Sequence, residues 1–524
     1  MQRMRSIAAT LSLAVVLTAA GPAGNPPGDT DAYVARAMAA FAVPGLALTI
    51  VDGSMVIAKG YGVRELGKSG RVDTRTRFPI GSESKAFTAA ALAILVDEGK
   101  LHWDDVVSKK LPGFQMYDPY VTAHMSVVDL LTHRSGLGLG EGDLMFVPST
   151  RRSRADVVHA LRYLKPVTGF REQFAYDNVL YAVAGALVQA VSGERWEDFV
   201  RQHIFEIAGF EDALPNFTLG LPNGVALHAK TGGAIRGVGS QRVLPTALDT
   251  SVIAPAGGIA MSAQDMGRWI EVWLRHGVAS NGRRVFSEAS ADMLWKPVVV
   301  VPVRAAGPLA PAAPQLEDYA LGWEVESYHG YTIVHHAGGV LGGIAELWIV
   351  PEKRLGISVM INSEDYWAAQ AVVLHLLDRY LALPQEDWIA RSLRARSALV
   401  AGAQAALKSG HAMQPNDRHS LPIAAYAGTY ASPWYGRVTV TRKPNGGLWI
   451  SFTMTPGMDG PLEHVADDTF RTRFEGANME DAYVTFHVSG NTIDVVTLKA
   501  ISPLADFSYD YQDLRLTPET AAPQ

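Results

Sequence analysis

The sequence predicts an α/β fold in which an antiparallel sheet is flanked by helices, joined to an all-α subdomain and followed by a small antiparallel β-barrel or sandwich. Three observations carry this expectation. Strand-like segments near the N-terminus are answered by a second strand series between residues 318 and 362, and a mostly helical block with long loops lies between them. A sheet built from both ends of that stretch must carry the helical block on one side, which leaves a cleft at their junction. After a polar break from Gly410 to Ser420, short alternating strands recur at regular spacing.

Taken in order, Arg3 and Arg5 precede the apolar run Ile7 to Leu17, with small residues at Thr18, Ala19 and Ala20. Residues 1–23 therefore read as a secretory signal peptide, too short to span a bilayer, with cleavage near Ala20 or Ala23 and an uncleaved anchor as the alternative. Residues 31–62 read as a helix and two strands, with Val43 to Leu48 paired through Asp52-Gly53 with Val56 to Gly62. Arg77 to Gly81 is strand-like and runs into the helix formers Ala86 to Val96, which close at Gly99. Val179 to Val191 is a second helix, ended by Ser192-Gly193, and Ser262 to Asp265 is a capping pattern. Val300 to Pro314, rich in Pro and Ala, reads as a surface loop near the cleft. Four strands follow at Tyr319–Glu326, Tyr331–His336, Ile344–Val350 and Leu355–Asn362, then an amphipathic helix from Tyr366 to about Leu383. Residues 30–385 thus form one domain. A helical connector, Glu386 to Lys408, and the polar break make up 386–420. Residues 421–520 form the barrel, whose clearest hairpin joins Arg437–Lys443 to Leu448–Met454 through Asn445-Gly446. Phe470–Phe474, Tyr483–Val488 and Ile493–Leu498 continue it.

Composition excludes several classes of function. The 524 residues contain no cysteine, which removes disulfides, thiolate zinc sites and cysteine nucleophiles together. A cysteine-free exported chain suits a periplasmic or secreted, bacterial location. The net charge of −6 is modest and no basic run suggests nucleic acid. No HExxH, HxHxD or GxSxG occurs, so neither a metal nor another cofactor is expected.

The chemistry gathers at Ser82-Glu83-Ser84-Lys85, the one S-x-x-K of the chain, placed where a strand turns into a helix. Positions i and i+3 share a helix face, so Ser82 and Lys85 can touch in the first turn, where unpaired backbone N–H groups favour a developing negative charge. A serine hydroxyl needs a base, and a desolvated lysine can be that base. Tyr176-Asp177-Asn178, the one Y-x-N, opens the helix from Val179, and His336-Ala337-Gly338-Gly339 follows a strand.

These three ordered motifs resemble the serine beta-lactamase and penicillin-binding-protein family in its broad sense, with class C beta-lactamases, D-Ala-D-Ala carboxypeptidases, D-aminopeptidases and related esterases. Leu130-Leu131-Thr132-His133-Arg134-Ser135-Gly136-Leu137 resembles a further segment of that family, and the barrel resembles its lipocalin-like C-terminal domain. The resemblance implies a beta-lactamase-like fold with Ser82 as nucleophile, Lys85 as base and Tyr176 as proton shuttle to the leaving group. Asn178 would orient Lys85 and the substrate's acyl amide. The N–H groups of Ser82 and Gly339 would form the oxyanion hole, with Gly338 beside them. His336 stands where penicillin-recognising members carry lysine, and would hold a substrate carboxylate by a hydrogen bond. His335 should face the other way and be structural, as should His133. Asp177 replaces a serine of many relatives, and its contribution stays open. Lys230-Thr231-Gly232 reads as a decoy because no strand-like run precedes it.

The expected activity is that of an exported serine hydrolase, foremost a peptidase or amidase on unusual or D-residue-containing peptides, linearised cyclic peptides such as microcystin among them. A carboxylesterase, a beta-lactamase or penicillin-binding protein, and a catalytically silent binding or sensor protein are the alternatives. The expected partner is a small peptide, amide or ester, with no nucleic acid, no membrane after signal cleavage, and homo-oligomers formed through the C-terminal domain.

Overall fold

The computed structural model describes residues 26–233, 235–244, 250–303, 307–410, 418–476 and 479–519. The signal peptide expected at 1–23 and most of the polar break lie outside them.

An eight-stranded antiparallel sheet forms the centre of the first domain. Its spatial order is Met55–Gly62, Gly45–Asp52, Leu355–Ile361, Gly343–Val350, Tyr331–Val340, Glu324–Tyr328, Glu317–Tyr319 and Val299–Val300. The two ends of the domain meet in the register Leu48 opposite Val359, so the N-terminal hairpin is locked in place by strands some three hundred residues away. Alternation decides the faces. Leu46, Leu48 and Ile50 pack with Ile357 and Val359 under the helices Thr30–Phe41 and Tyr366–Tyr380. Ala47, Val51 and Met360 face the opposite way, toward Trp269 and Ile270 of the helix Ala263–Leu274 and the all-helical part.

The strand expected at Tyr319–Glu326 is two strands. Gly322, at φ +81°, makes the turn between them, and a Cβ there would lie 2.9 Å from the Lys85 carbonyl oxygen. The helical block contains a ribbon that the sequence does not announce, His228–Gly232 paired with Gly239–Val243. The helix Trp388–Gly410 leads to a closed eight-stranded barrel running from Gly428–Ser432 to Arg515–Pro518, each strand beside its sequence neighbour. Two of its strands, Asp459–Ala466 and Arg515–Pro518, escape the periodicity reading because proline and charged residues interrupt their alternation. Phe452, Phe470, Val484 and Phe486 are buried within it.

Candidate active site

The helix Ser84–Asp97 runs through the middle of the domain with Lys85 to Leu95 all buried. Its alanine-rich sequence permits close packing, and the preceding turn Gly81–Glu83 exposes Ser82 at the floor of the cleft. Two glycines make this turn fit the sheet. A Cβ on Gly338 would lie 1.8 Å from the Ile80 carbonyl oxygen, and one on Gly81 would lie 2.5 Å from the Gly339 nitrogen. The strand Tyr331–Val340 therefore lies directly against the backbone that carries Ser82. Gly339 itself meets nothing nearer than 3.6 Å, so only its N–H, and not its lack of a side chain, bears on the site.

Lys85 Nζ lies 2.9 Å from Ser82 Oγ, 2.7 Å from Asn178 Oδ1 and 3.1 Å from the Ala256 carbonyl oxygen. Burial pulls its pKa down to about 7, against the opposing pull of Asp143, Asp177 and Glu324. A neutral amine has two N–H donors and one lone pair. Asn178 Oδ1 and Ala256 O can only accept, so both donors are committed and the lone pair is left for the Ser82 hydroxyl. Asn178 in turn donates from Nδ2 to Asp143, 2.8 Å away. It reaches Lys85 as expected, while its amide is fixed by Asp143.

Tyr176 lines the cleft with its ring centroid 4.7 Å from Lys85 Nζ. Burial drives its phenol well above the usual tyrosine range, and the Ser82 hydroxyl is the neighbour that pulls the other way. It is therefore an O–H donor, not the phenolate that a nearby cation could have favoured. His133, buried at φ +52°, lies against Tyr176 with ring centroids 4.1 Å apart and planes tilted by 33°, and accepts the Asp177 N–H at Nδ1. Asp177 accepts from Ser135 Oγ at 2.9 Å, which ties the segment after His133 to the Tyr176 loop.

His336 departs from the sequence reading. Its Nδ1 donates to the Ala337 carbonyl oxygen at 2.7 Å, and its Nε2 accepts from the Tyr319 hydroxyl at 3.0 Å. Burial and the nearby Lys85 hold it well below the usual histidine range. Both ring nitrogens are thus engaged by the protein, and neither is left to donate to a substrate carboxylate. His335 points the other way, stacked on Trp348 between Glu324 and Glu326, whose charges raise it to about 9 against burial. Lys230 lies in the strand His228–Gly232, which the sequence does not predict, yet it pairs with Asp365 and the Phe41 carbonyl oxygen, away from Ser82.

Around these residues lies a cleft of about 630 Å³. Phe146, Leu341 and Ile344 supply apolar wall, and Glu324, Glu346 and Glu364 supply carboxylates. Its arginine, Arg236, is bound by Glu364 and Glu480. Sequence reasoning missed Asp143 and Tyr319, which bond to Asn178 and His336, and the wall supplied by Leu504, Asp506, Phe507 and Ser508. None sits in a motif, and nothing in the sequence around them marks them.

The chain is similar to proteins of one family over most of its length. A beta-lactamase family model matches residues 30–378, and a domain of unknown function, DUF3471, matches residues 412–518. Unguisins hydrolase ungD of Aspergillus violaceofuscus (strain CBS 115571) is 28% identical over 471 residues, covering 84% of this chain and 82% of that protein. Penicillin-binding protein 4 of Amycolatopsis lactamdurans is 28% identical over 329 residues, covering 61% of this chain and 81% of its own length. Among solved structures, the octameric penicillin-binding protein homologue from Pyrococcus abyssi superposes with a TM-score of 0.58 at 21% identity, over 93% of this chain and 99% of that one.

Proposed function

Because this chain belongs to the beta-lactamase family, we propose that it is a serine hydrolase working through an acyl-enzyme on Ser82. The observation that carries this is the Lys85 amine, 2.9 Å from Ser82 Oγ with its other partners restricted to acceptors. Lys85 takes the Ser82 proton as Oγ attacks the substrate carbonyl carbon. The oxyanion that forms is met by the N–H groups of Ser82 and Gly339, held together by the glycine contacts described above. Tyr176 passes its proton to the departing amine or alkoxide and is reprotonated from Lys85, after which water hydrolyses the ester on Ser82.

The substrate class we favour is a peptide or amide, including unusual or D-residue-containing peptides and linearised cyclic ones. Ala337 and Gly339 expose strand backbone beside Ser82, which suits the main chain of an extended peptide. A curated relative carries the name of a hydrolase of unguisins, which supports hydrolysis over silent binding. Neutral esters are the second reading. His336 is uncharged and internally bonded and Arg236 is already paired, so neither of these described cleft residues offers a free cation to the carboxylate of a beta-lactam. Export through residues 1–23 completes the proposal.

The test is covalent labelling by a fluorophosphonate together with a panel of L- and D-peptides, p-nitrophenyl esters and a chromogenic cephalosporin. The label should map to Ser82 and vanish in Ser82→Ala, with peptides and esters turned over faster than the cephalosporin. A label on another serine, or loss of activity on adding EDTA, refutes the proposal.

A further inference from the structure

The C-terminal barrel reaches into the cleft through the loop that joins its strands Thr492–Ala500 and Arg515–Pro518. We propose that this loop is a working part of the active site: through Ser508 and Asp510 it fixes Asp143, and Asp143 fixes which end of the Asn178 amide faces Lys85. The inference rests on the roles of Ser82 and Lys85 given above.

The contacts run without a gap. Asp510 accepts the backbone N–H groups of Gly142 and Leu144 at 2.7 and 2.8 Å, clasping the turn that carries Asp143. Ser508 Oγ donates to Asp143 Oδ2 at 2.8 Å, and Asn178 Nδ2 donates to the same oxygen at 2.8 Å. Asp143 and Asp510 are fully buried, and Asp143 Oδ1 has no partner among the described residues. Glycine at 140, at φ +68°, is what lets the loop in, because a Cβ there would lie 2.7 Å from the Phe507 ring. Phe507 then meets Tyr176 edge to face, with centroids 6.0 Å apart.

The chemical consequence follows from the two unlike ends of an amide. Burial raises Asp143 to about 7, so above that pH it is an ionised carboxylate that only accepts, draws the NH2 end of Asn178 and leaves Oδ1 for Lys85. With Oδ1 there, Lys85 must donate to it, and its lone pair stays on Ser82. A reversed amide would set oxygen against the Asp143 carboxylate and NH2 against Lys85, which would turn the lone pair away from the nucleophile. The polarity of a side chain 93 positions from Lys85 is therefore set by residues of the barrel.

Charge enters the same chain. Lys85 is faced by Asp143, Asp177 and Glu324, each favouring its ammonium form, and by the rings of Tyr176 and Tyr181. Its charge is also felt by His133 and His336. Asp143 is faced by Lys85, Asn178, Ser508 and Asp506, and Asp510 feels its charge in turn. Removing the Asp143 charge should therefore let Lys85 lose its proton more readily.

The experiment measures single-turnover acylation of Ser82 by p-nitrophenyl acetate against pH in the full-length wild type, Asp143→Asn and Ser508→Ala. Asp143→Asn keeps the shape but can present either end to Asn178. It should acylate about tenfold more slowly or worse on the plateau, with its acid limb moved to lower pH. Ser508→Ala should move both readings the same way by less, at an unchanged melting temperature, and it carries the test alone if Asp143→Asn does not fold. Folded variants with the wild-type rate and limb overturn the inference, as does a lowered melting temperature with an unmoved limb. A wild type that is not acylated at Ser82 overturns the proposed function, and this inference with it.

Discussion

A lysine that works as a neutral base must show it in the pH dependence. Burial brings Lys85 from an ordinary 10.5 to about 7. At pH 8 an amine with a midpoint near 7 is about nine-tenths neutral, whereas an unshifted lysine is neutral in only about 0.3% of molecules, a difference of roughly 300-fold in available base. The sign is fixed by the direction of the shift: activity is present above about pH 7 and is lost as pH falls through that value, about tenfold per unit further down. The perturbation is pH itself together with Lys85→Arg, whose guanidinium cannot give up a proton. The assay is the stopped-flow burst of p-nitrophenolate from a p-nitrophenyl ester. Burial also raises Asp143 and Glu346 to about 7, so temperature separates the candidates. Amine deprotonation is strongly endothermic and carboxyl deprotonation is nearly athermal, so a Lys85 midpoint falls on warming. Lys85→Arg should lose at least about a hundredfold. A burst rate that keeps climbing through pH 9 to 10, a midpoint that ignores temperature, or an active Lys85→Arg would refute the assignment.

Tyr176→Phe should lose about a hundredfold in amide turnover and far less with p-nitrophenyl esters, whose leaving group needs no proton; equal losses on both would remove the shuttle role. Gly338→Ala should abolish acylation because its Cβ would collide with the Ile80 carbonyl, while Gly339→Ala should stay close to wild type, and the two burst amplitudes decide it. His336→Phe should cost about 0.5–1.5 kcal/mol by removing one of the two side-chain partners of the buried Tyr319 hydroxyl, Tyr181 being the other, read by urea denaturation. The ratio of cephalosporin to ester acylation should not move, and a large change in it would return His336 to substrate contact. Mature protein from cells should begin near residue 21 or 24, and N-terminal sequencing that finds Met1 would refute export by cleavage.

What lay in the sequence was what short range controls. Ser82 and Lys85 share a helix turn by spacing alone, and the alanine-rich run behind them could only be a packed helix. The hairpin at Asp52-Gly53 and the strand alternation after residue 318 follow from the two-residue pleat. The same local rules read Tyr319–Glu326 as one strand and missed its break, since the turn at Gly322 answers to the Lys85 backbone and not to its neighbours in sequence. The state of each group in the cleft was decided by the tertiary structure. Lys85 becomes a base only when packing strips its water, Tyr176 keeps its proton for the same reason, and His336 is spent on Tyr319 across the sheet. Asp143 was invisible because its partners, Asn178, Ser508 and Asp510, come from separate parts of the chain. Spacing in sequence can bring two side chains to one helix face, but desolvation and the direction of a hydrogen bond depend on every element that closes around them.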